Sequence, residues 1–480
     1  MSFSILICLC HTKAASIWHS TRQVNPEVKV LVKSKFFNWL AVTAVLSLAA
    51  LPAGAQQSQN PWFRTGTGLG VEKIRLAVAD FGPRADNAKT HSAQFTQIVR
   101  DDLAFSGILD LVSPSFYPAQ SPTQPSELQN AAWTDPQVNA HYVAFGNLTE
   151  TTTEVAIQAW LYDVSSPSSQ SVVGKIYRGA PTDQQVRKFA HQFADEIIFK
   201  LSGGFPGIAS TQIAFVSSRT GSKELWVMDY DGANQHPLTS LRTISLMPRW
   251  SPDASRIAFT CYQPVSGVVS AQICMYSVDA GKVISFPRFR GTNSAAAWSP
   301  DGTQLIFSSS MASNPELYVT DINGSKPKRL TFSNGGSTSP AWNPKTGQSV
   351  VFVSDRGGIP KLYMMNADGT NVNLLDLPDK GYIIDPAWSP NGQLLAFSWR
   401  RPDGNYDIYV MEPTSQHIIN LTPDSGSRNE RPSWAPDGRH IVFESTRTGP
   451  RQIWTMLADG SQPHQLTVDG HNESPNWSPK

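Results

Sequence analysis

The sequence predicts an α/β N-terminal domain plus an all-β six-bladed propeller closed by the C-terminal strand. Three observations indicate this fold. A phrase close to Pro-x-Trp-Ser-Pro-Asp-Gly occurs six times in the second half of the 480-residue chain, and a period of about 40–50 residues is typical of solenoids and propellers. Short apolar runs follow the phrase. At the start of the repeated region an apolar run has no phrase before it, and at its end a phrase has no apolar run after it.

Each repeat predicts four short antiparallel strands. The Ser-Pro-Asp-Gly part predicts a turn, because proline presets φ and glycine accepts a positive φ. A run resembling Ile-Ala-Phe follows the turn, then an aromatic or β-branched run, and then usually a Leu-Thr pair that starts a fourth strand. The tryptophans of the six phrases are Trp250, Trp298, Trp342, Trp388, Trp434 and Trp477. Four short strands with turns between them are typical of one propeller blade.

The ends of the repeated region predict how the ring closes. The first apolar run, Ile213–Phe215, has no phrase before it, and the last phrase, Pro475–Pro479, has no apolar run behind it. We therefore expect the last residues to form the inner strand of the blade that begins at Ile213. Such a closure removes the open strand edges that a linear array would expose.

Residues 1–55 are interpreted as an upstream extension and a signal peptide. Residues 29–55 have a positively charged start, an apolar core at 36–51 and a small-residue cleavage site at 53–55, as secretory signals do. A membrane anchor is the alternative, which the short apolar core disfavours. We expect the mature protein to begin near Gln56, to be exported to an oxidising compartment and to have no membrane-spanning segment after cleavage.

The remaining chain divides into three predicted parts. Residues 56–70 are polar and rich in glycine, which indicates a flexible N-terminal arm. Residues 71–205 read as an α/β domain with amphipathic helices at 91–105 and 182–201. Residues 206–480 form the six-bladed propeller.

Two cysteines lie on what should be neighbouring strands of one blade, Cys261 and Cys274. In an oxidising compartment they can form a disulfide, but free buried cysteines are equally common. The sequence leaves both alternatives open, because it does not fix the Cβ geometry that a disulfide needs.

Composition argues against several classes of function. The net charge is +1, and nucleic-acid-binding proteins usually carry a basic stripe. The sequence has no Gly-x-Ser-x-Gly elbow and no His-Glu-x-x-His or paired-cysteine metal motif. We therefore expect a monomer that is not an enzyme and needs no cofactor or metal. The alternative is an exported hydrolase or lyase with a site at the channel mouth, for which His471 and Glu473 are the pair to test.

Several stretches resemble the TolB family of the Tol–Pal system. In the first domain these are Leu76–Phe81 and Asp101–Gly107. In the propeller they are Ser285–Arg288, Trp298–Gly302 and the closing Trp477–Pro479. The resemblance covers most of the chain after the arm.

This resemblance implies a non-catalytic periplasmic protein. One propeller face would bind the peptidoglycan-associated lipoprotein Pal, and the protein would communicate with a TolA-like inner-membrane protein, supporting outer-membrane integrity and cell division. Carried over residue by residue, the implied Pal contacts are Phe289, Arg290, Gly291, Thr292 and Thr338.

The loops before the Pro-x-Trp phrases should gather at the mouth of the central channel. They contain Asp385, Glu430 and Glu473, which could bind a cation or accept hydrogen bonds from a partner's backbone. Alternatively, these carboxylates bind neighbouring loop amides and channel waters. Arginines recur in other loops, at Arg219, Arg356, Arg400, Arg401 and Arg447. If these loops open on the same face they form a basic rim that could attract an acidic partner; otherwise they brace loop backbone.

Overall fold

The computed structural model describes residues 70, 72–166, 170–375, 377, 381–423 and 425–479. The predicted upstream extension and signal peptide, and all of the predicted arm except Gly70, lie outside the described residues. Among the described residues, no helix is both long enough and apolar enough to span a membrane.

The first part of the described chain is an α/β domain built on one mixed sheet. Its helices are α1 (Lys89–Phe105), α2 (Asn130–Trp133) and α3 (Asp183–Leu201), with short 3₁₀ turns at Asp86–Ala88, Pro114–Phe116 and Pro125–Glu127. Its strands are β1 (Ile74–Val78), β2 (Gly82–Pro83), β3 (Leu109–Leu111), β4 (Tyr142–Glu150), β5 (Val155–Asp163) and β6 (Gln170–Gly179). The strand order is β3-β1-β4-β5-β6, with β2 paired to β4.

The two long helices cover one face of this sheet. Buried residues of both α1 and α3 share a core with alternate residues of β1, β4 and β5. The other face is covered by Trp133 of α2 and the segments around it. Thr182 is the N-cap of α3, because its Oγ1 accepts a hydrogen bond from Gln185 N at 3.2 Å. The cap satisfies one of the amides left free at a helix start.

The second part of the described chain is a propeller of four-stranded blades. Blade one begins with β7 (Gln212–Ser217), β8 (Glu224–Asp229) and β9 (His236–Pro237); blade two has β10 (Ser245–Trp250), β11 (Arg256–Val265), β12 (Val268–Ser277) and β13 (Lys282–Ile284). Blade three has β14 (Asn293–Trp298), β15 (Gln304–Ser309), β16 (Glu316–Asp321) and β17 (Lys328–Arg329); blade four has β18 (Ser337–Trp342), β19 (Ser349–Ser354), β20 (Lys361–Asn366) and β21 (Asn373–Leu374). Blade five has β22 (Ile383–Trp388), β23 (Leu395–Arg400), β24 (Tyr406–Glu412) and β25 (His417–Asn420); blade six has β26 (Asn429–Trp434), β27 (His440–Ser445), β28 (Gln452–Leu457) and β29 (His464–Gln465). The last strand is β30 (Asn472–Trp477).

The predicted closure of the ring is confirmed. Strand β30 pairs antiparallel with β7, and Trp477 lies opposite Ile213. The strand order β30-β7-β8-β9 makes this sheet the same size as the other five blades. Trp477 Nε1 donates to Thr211 Oγ1 at 2.8 Å, and Ser478 Oγ accepts from Gln212 N at 2.9 Å. The end of the chain therefore supplies the inner strand of blade one.

The inner strand of every blade contains the same bulge. The residue three positions before each tryptophan has φ between 49° and 56°, and the pairing with the next strand shifts its register there. These residues are Met247, Ala295, Ser339, Asp385, Arg431 and Ser474. None is glycine, although a positive φ is uncommon for other residues. A bulge bends a strand and re-aims a side chain, and all six of these residues line one narrow space in the channel.

The two ends of the propeller differ, and we name them by their contents. The tryptophan end carries the six tryptophans and the turns that follow them. The loop end carries the starts of the inner strands and the hairpins between the second and third strands, because Ser337 at the start of β18 pairs with Ser354, which pairs with Lys361.

The α/β domain packs on the tryptophan end. The linker is held by Asp195 of α3, whose carboxylate accepts from Ala209 N at 2.8 Å and from Ser210 N at 3.2 Å. A Cβ on Gly207 would lie 2.3 Å from Asp195 Oδ1, so this position has no room for a side chain. The connection between the domains is therefore fixed, as expected from its short length.

Buried polar contacts join the two domains. His191 Nδ1 lies 2.7 Å from Asp102 Oδ2, and the Tyr230 hydroxyl of blade one donates to Asp102 Oδ1 at 2.5 Å. Removing one partner of this buried set leaves an uncompensated charge, which is strongly destabilising. The half-buried Arg187 of α3 also pairs with the half-buried Asp231 of blade one at 2.6 Å.

A second contact of this kind lies at blade six. His440 Nε2 donates to Phe105 O at 2.8 Å, and His440 Nδ1 lies 2.6 Å from Asp437 Oδ2. The imidazole also stacks on the Phe105 ring at 4.5 Å. The two ring nitrogens thus contact the Asp437 carboxylate on one side and the Phe105 carbonyl on the other, and His440 joins blade six to the end of α1.

Candidate functional site

The loop carried over from the family resemblance precedes the inner strand of blade three at the loop end. The Phe289 ring stacks on Phe307 at 5.5 Å, while Arg290 and Thr292 are exposed. Gly291 has φ +79°, and a Cβ there would lie 2.7 Å from Ser310 Oγ. Glycine is therefore required at this position, both for the turn and for the close approach. The loop presents Arg290 and Thr292 to solvent on a backbone that Phe289 and Gly291 fix.

Thr338 lies one blade further round the ring. It is the second residue of β18, half-buried, and its inner strand contacts that of blade three. Thr338 helps to line a cavity of about 340 Å³ together with residues of the neighbouring loops, Asn314, Pro315, Gly336 and Asp355. The structure thus brings Thr338 and the 289–292 loop to the same end of adjacent blades.

The carboxylates predicted at the channel mouth are paired with cations. Glu430 accepts from Arg428 Nη2 at 2.9 Å and from Arg451 Nη2 at 3.1 Å. Glu473 accepts from Lys223 Nζ at 2.5 Å, and Arg451 Nη1 lies 3.6 Å away. The sequence indicates a bound cation, a partner's backbone, or loop amides and water as the partners of these carboxylates, and it does not indicate Arg428, Arg451 or Lys223.

A third carboxylate of this network was also missed. Glu444 of β27 is buried, and its Oε1 lies 3.2 Å from Arg451 Nε while its Oε2 lies 3.3 Å from Arg431 Nη1. Ser474 N also donates to Glu444 at 2.7 Å. The repeat contained a signal for it, since Glu444 follows the phenylalanine of its apolar run, where the other blades have Val216, Thr260, Ser308, Val353 and Ser398.

The pKa values in this network follow burial and pairing. Burial raises the pKa of the Glu444 carboxyl and that of Asp385, which lies deeper in the channel. Burial also acts on Glu473, but Lys223 and the arginines outweigh it and lower the pKa of that carboxyl. Four nearby carboxylates likewise outweigh burial at Arg431 and raise its pKa. The channel mouth is therefore a compensated ion-pair network instead of an acidic opening.

Three arginines of the predicted basic rim have one shared structural role. Each follows a serine by two positions at the loop end, donates through Nε to that serine and stacks on an aromatic ring of its own blade. The Nε to Oγ distances are 3.0 Å for Arg219, 2.9 Å for Arg356 and 3.1 Å for Arg447. The guanidinium carbons lie 4.3 Å, 4.8 Å and 4.6 Å from the rings of Trp226, Tyr363 and Trp454. These contacts support the alternative that the arginines brace loop backbone.

The other two rim arginines lie in blade five. Arg400 lies over the Tyr382 ring at 5.2 Å. Arg401 pairs with Asp403 at 3.2 Å and lies 3.7 Å from Asp407. The loops do open on the same face, as the hypothesis of a basic rim required, but most of these cations are already engaged within their own blades.

The family of the chain follows from comparison with known proteins. A model described as the TolB beta propeller domain matches residues 199–383 and 377–480, and one described as the TolB amino-terminal domain matches residues 67–170. The chain belongs to the TolB family. The matches bear out the family resemblance read from the sequence.

Relatives of the chain carry the same family name. The Tol-Pal system protein TolB of Bordetella pertussis is 30% identical over 451 residues, which cover 92% of this chain and 97% of that protein. A TolB homolog of Chlorobium chlorochromatii is 33% identical over 287 residues, which cover 60% of this chain and 62% of that protein. The crystal structure of TolB from Acinetobacter baumannii superposes with a TM-score of 0.72 at 26% identity, covering 85% of this chain and 98% of that one.

The alternative of an enzyme is not favoured within the TolB-family fold. The cavity at the tryptophan end, of about 340 Å³, is lined by tryptophans and prolines, with Arg249 as its one ionisable side chain among the described residues. In the parts of the chain that the structure describes, no three His, Cys, Asp or Glu side chains converge as metal ligands. Glu473, which was to act with His471, is instead paired with Lys223 and Arg451.

Proposed function

We propose that this TolB-family chain is a non-catalytic, periplasmic component of the Tol–Pal system that binds the peptidoglycan-associated lipoprotein Pal with the loop end of its propeller. In this role it supports outer-membrane integrity and cell division and communicates with a TolA-like protein. Support comes from the names of the relatives and from the predicted signal peptide. The division into domains at 71–205 and 206–480 belongs to the same proposal.

The observation that carries the proposal is the placement of the five implied contact residues. Phe289, Arg290, Gly291, Thr292 and Thr338 lie at the starts of neighbouring inner strands, at the end of the propeller opposite the α/β domain. The loop is fixed by the Phe289–Phe307 stack and by Gln272, whose side chain accepts from Phe289 N at 3.0 Å. A loop that is ordered before binding loses little conformational entropy when it binds.

The cavity beside Thr338 adds a place for a partner side chain. Its volume of about 340 Å³ suits one side chain of a docking protein, and it lies at the same end of the propeller as the 289–292 loop. Interfaces derive much of their binding energy from a few anchors buried in such pockets.

The carboxylates Asp385, Glu430 and Glu473 have a supporting role in this proposal. Glu430 and Glu473 hold Arg428, Arg451 and Lys223 at the channel mouth, where their remaining N–H groups face the partner. Asp385 lies deeper, in the field of Arg249 and Arg431. The network fixes the centre of the binding surface, while the 289–292 loop and Thr338 make the direct contacts.

The experiment measures affinity for the purified periplasmic domain of Pal from the same organism by calorimetry. Thr338→Arg fills the cavity with a long charged side chain and should weaken binding at least tenfold. Thr149→Arg is the matched control, because Thr149 is an exposed threonine of the α/β domain and the change should leave affinity unaltered. Wild-type protein that does not bind, or a Thr338→Arg variant that binds as tightly as wild type, would refute the proposal.

A further inference from the structure

In the part of the chain that the structure describes, blade two has a longer hairpin between its second and third strands than the other blades have. In four of the other blades, the pairing between the second and third strands ends at the residue opposite the start of the inner strand, as at Ser354↔Lys361. Blade five continues for one further pair. In blade two the equivalent pair is Cys261↔Gln272, and four more pairs follow up to Val265↔Val268. At about 3.3 Å per residue, the paired strands of this hairpin extend about 13 Å beyond the point at which those four ladders end.

The tip of this hairpin is apolar and exposed. Val268 is 68% exposed and Val269 is 65% exposed. The turn before them, Ser266-Gly267, has φ of 50° and 84°, as tight hairpin turns require. A single exposed apolar residue is ordinary. Two adjacent exposed valines at the tip of an ordered hairpin instead form a small apolar surface that projects from the protein.

Three contacts hold the hairpin rigid. A disulfide joins Cys261 and Cys274 across its base, with their Cα atoms 5.9 Å apart, so the alternative of free cysteines is not observed. Gln272 Nε2 donates to Gly291 O at 3.0 Å, and Arg288 Nη1 donates to Pro264 O at 3.0 Å. The hairpin and the loop containing Gly291 therefore form one braced unit.

Cations flank this unit on both sides. Arg290 is exposed and has no carboxylate partner among the described residues. On the other side of the hairpin, Tyr262 N donates to Ile244 O at 3.2 Å, and the exposed Arg242 lies two residues earlier. A surface that fits this unit is apolar at its centre and acidic at its edges.

We propose that the hairpin of residues 262–271 is a second docking element, which places Val268 and Val269 in an apolar, acid-rimmed groove of the partner bound at the loop end. The inference rests on the proposed function, since it takes the occupant to be the periplasmic domain of Pal. It adds a contact outside the 289–292 loop and Thr338. A preformed hairpin reaches the partner without the entropic cost of ordering a loop.

The test compares the affinity of the same purified Pal domain for wild type and for the double variant Val268→Ser, Val269→Ser. Loss of two buried valines should weaken binding about tenfold or more. Ile176→Ser is the control, because Ile176 lies on the α/β domain and is 60% exposed. This variant should bind the Pal domain as tightly as wild type. Arg290→Glu should weaken binding further and reduce its dependence on salt.

The outcomes separate the two proposals. If wild type binds and the double variant binds within twofold of it, the docking role of the hairpin is wrong while the proposed function stands. If wild type does not bind the Pal domain, both fail. Near-UV circular dichroism and the melting temperature show whether the double variant is folded. A second variant, in which a two-residue turn after Cys261 replaces the hairpin, tests the same docking role by deletion. Binding of wild type, but not the double variant, to vesicles of phosphatidylethanolamine and phosphatidylglycerol would overturn the inference by assigning the tip to lipid.

Discussion

The two ends of the propeller differ in how far their contacts repeat from blade to blade. At the tryptophan end the same contact recurs, with an indole Nε1 donating to the backbone carbonyl before the tryptophan of the previous blade. It is seen for Trp298 to Arg249 O at 3.0 Å, Trp388 to Ala341 O at 3.1 Å and Trp434 to Ala387 O at 3.1 Å. At the loop end neighbouring blades differ: blade two has a long braced hairpin, blade four a cavity and blade six an ion-pair network.

This difference shows where the repeat constrains the sequence. The turns of the tryptophan end recur from blade to blade, and three indole contacts join successive blades, so packing around the ring constrains the sequence there. The loop end lies beyond those contacts, and its residues are free to differ from blade to blade. Binding residues are disproportionately found on loops that a rigid scaffold positions. The α/β domain occupies the constrained end and leaves the variable end open to a partner.

The largest effect should come from breaking the closure at the tryptophan end. Trp477 is 4% exposed, and its indole bonds to Thr211 across the junction of the two ends of the propeller. Trp477→Ala should lower the free energy of unfolding by about 3–5 kcal/mol, as large aromatic-to-alanine changes in cores do. Urea unfolding followed by circular dichroism measures this loss.

The control for this prediction is Trp342→Ala. Trp342 is only half-buried, and its indole donates to Gly347 O within its own blade at 2.7 Å. Trp342→Ala should lower the free energy of unfolding by less than Trp477→Ala, because Trp342 stabilises a turn within one blade and not the closure of the ring. Equal losses of unfolding free energy for the two variants would show that the junction between β30 and β7 contributes no more to stability than a turn within one blade.

Much of the tryptophan end could be predicted from the sequence, and much of the loop end could not. Local turn chemistry and periodicity gave the strands, the blades and the pairing of Trp477 with Ile213. The ion-pair network depends on side chains from blades five, six and one meeting in space, and nothing local specifies that Arg451 bridges Glu430 and Glu444. The role of Arg447 was predicted only as one of two alternatives, because its choice between solvent and the Trp454 ring depends on packing.

A smaller effect should come from the link between the tryptophan end and the α/β domain. Burial opposes ionisation of Asp437, but His440 and Arg439 outweigh it and hold the pKa of this carboxyl at about 2, against an ordinary value of 3.8. A depressed pKa gives stability that is complete above pH 3.8 and is lost as the pH falls through about 2. Asp437→Asn should therefore cost about 2 kcal/mol at neutral pH.

The pH dependence distinguishes this contribution from a simple loss of packing. Unfolding free energies of wild type and Asp437→Asn, measured by urea titration from pH 7 to pH 2, should begin to approach each other below pH 4 and converge towards pH 2. Asp301→Asn is the matched control, since Asp301 occupies the same turn of blade three without contacting the α/β domain. A difference between wild type and Asp437→Asn that does not change with pH would contradict the ionic role.

The smallest predicted effect distinguishes an arginine that braces its own blade at the loop end, Arg447, from one that is proposed to contact the partner, Arg290. Arg447 stacks on Trp454 and donates to Ser445 and to Asn429 Oδ1, the latter at 3.2 Å, so Arg447→Ala should cost about 1 kcal/mol of stability. It should leave affinity for the Pal domain unchanged, because the guanidinium is engaged within its blade. Arg290→Ala should do the reverse, with an unaltered melting temperature and weaker binding. If Arg447→Ala weakened binding without lowering stability, the basic rim would be a recognition surface after all, and the division between bracing and binding arginines would be wrong.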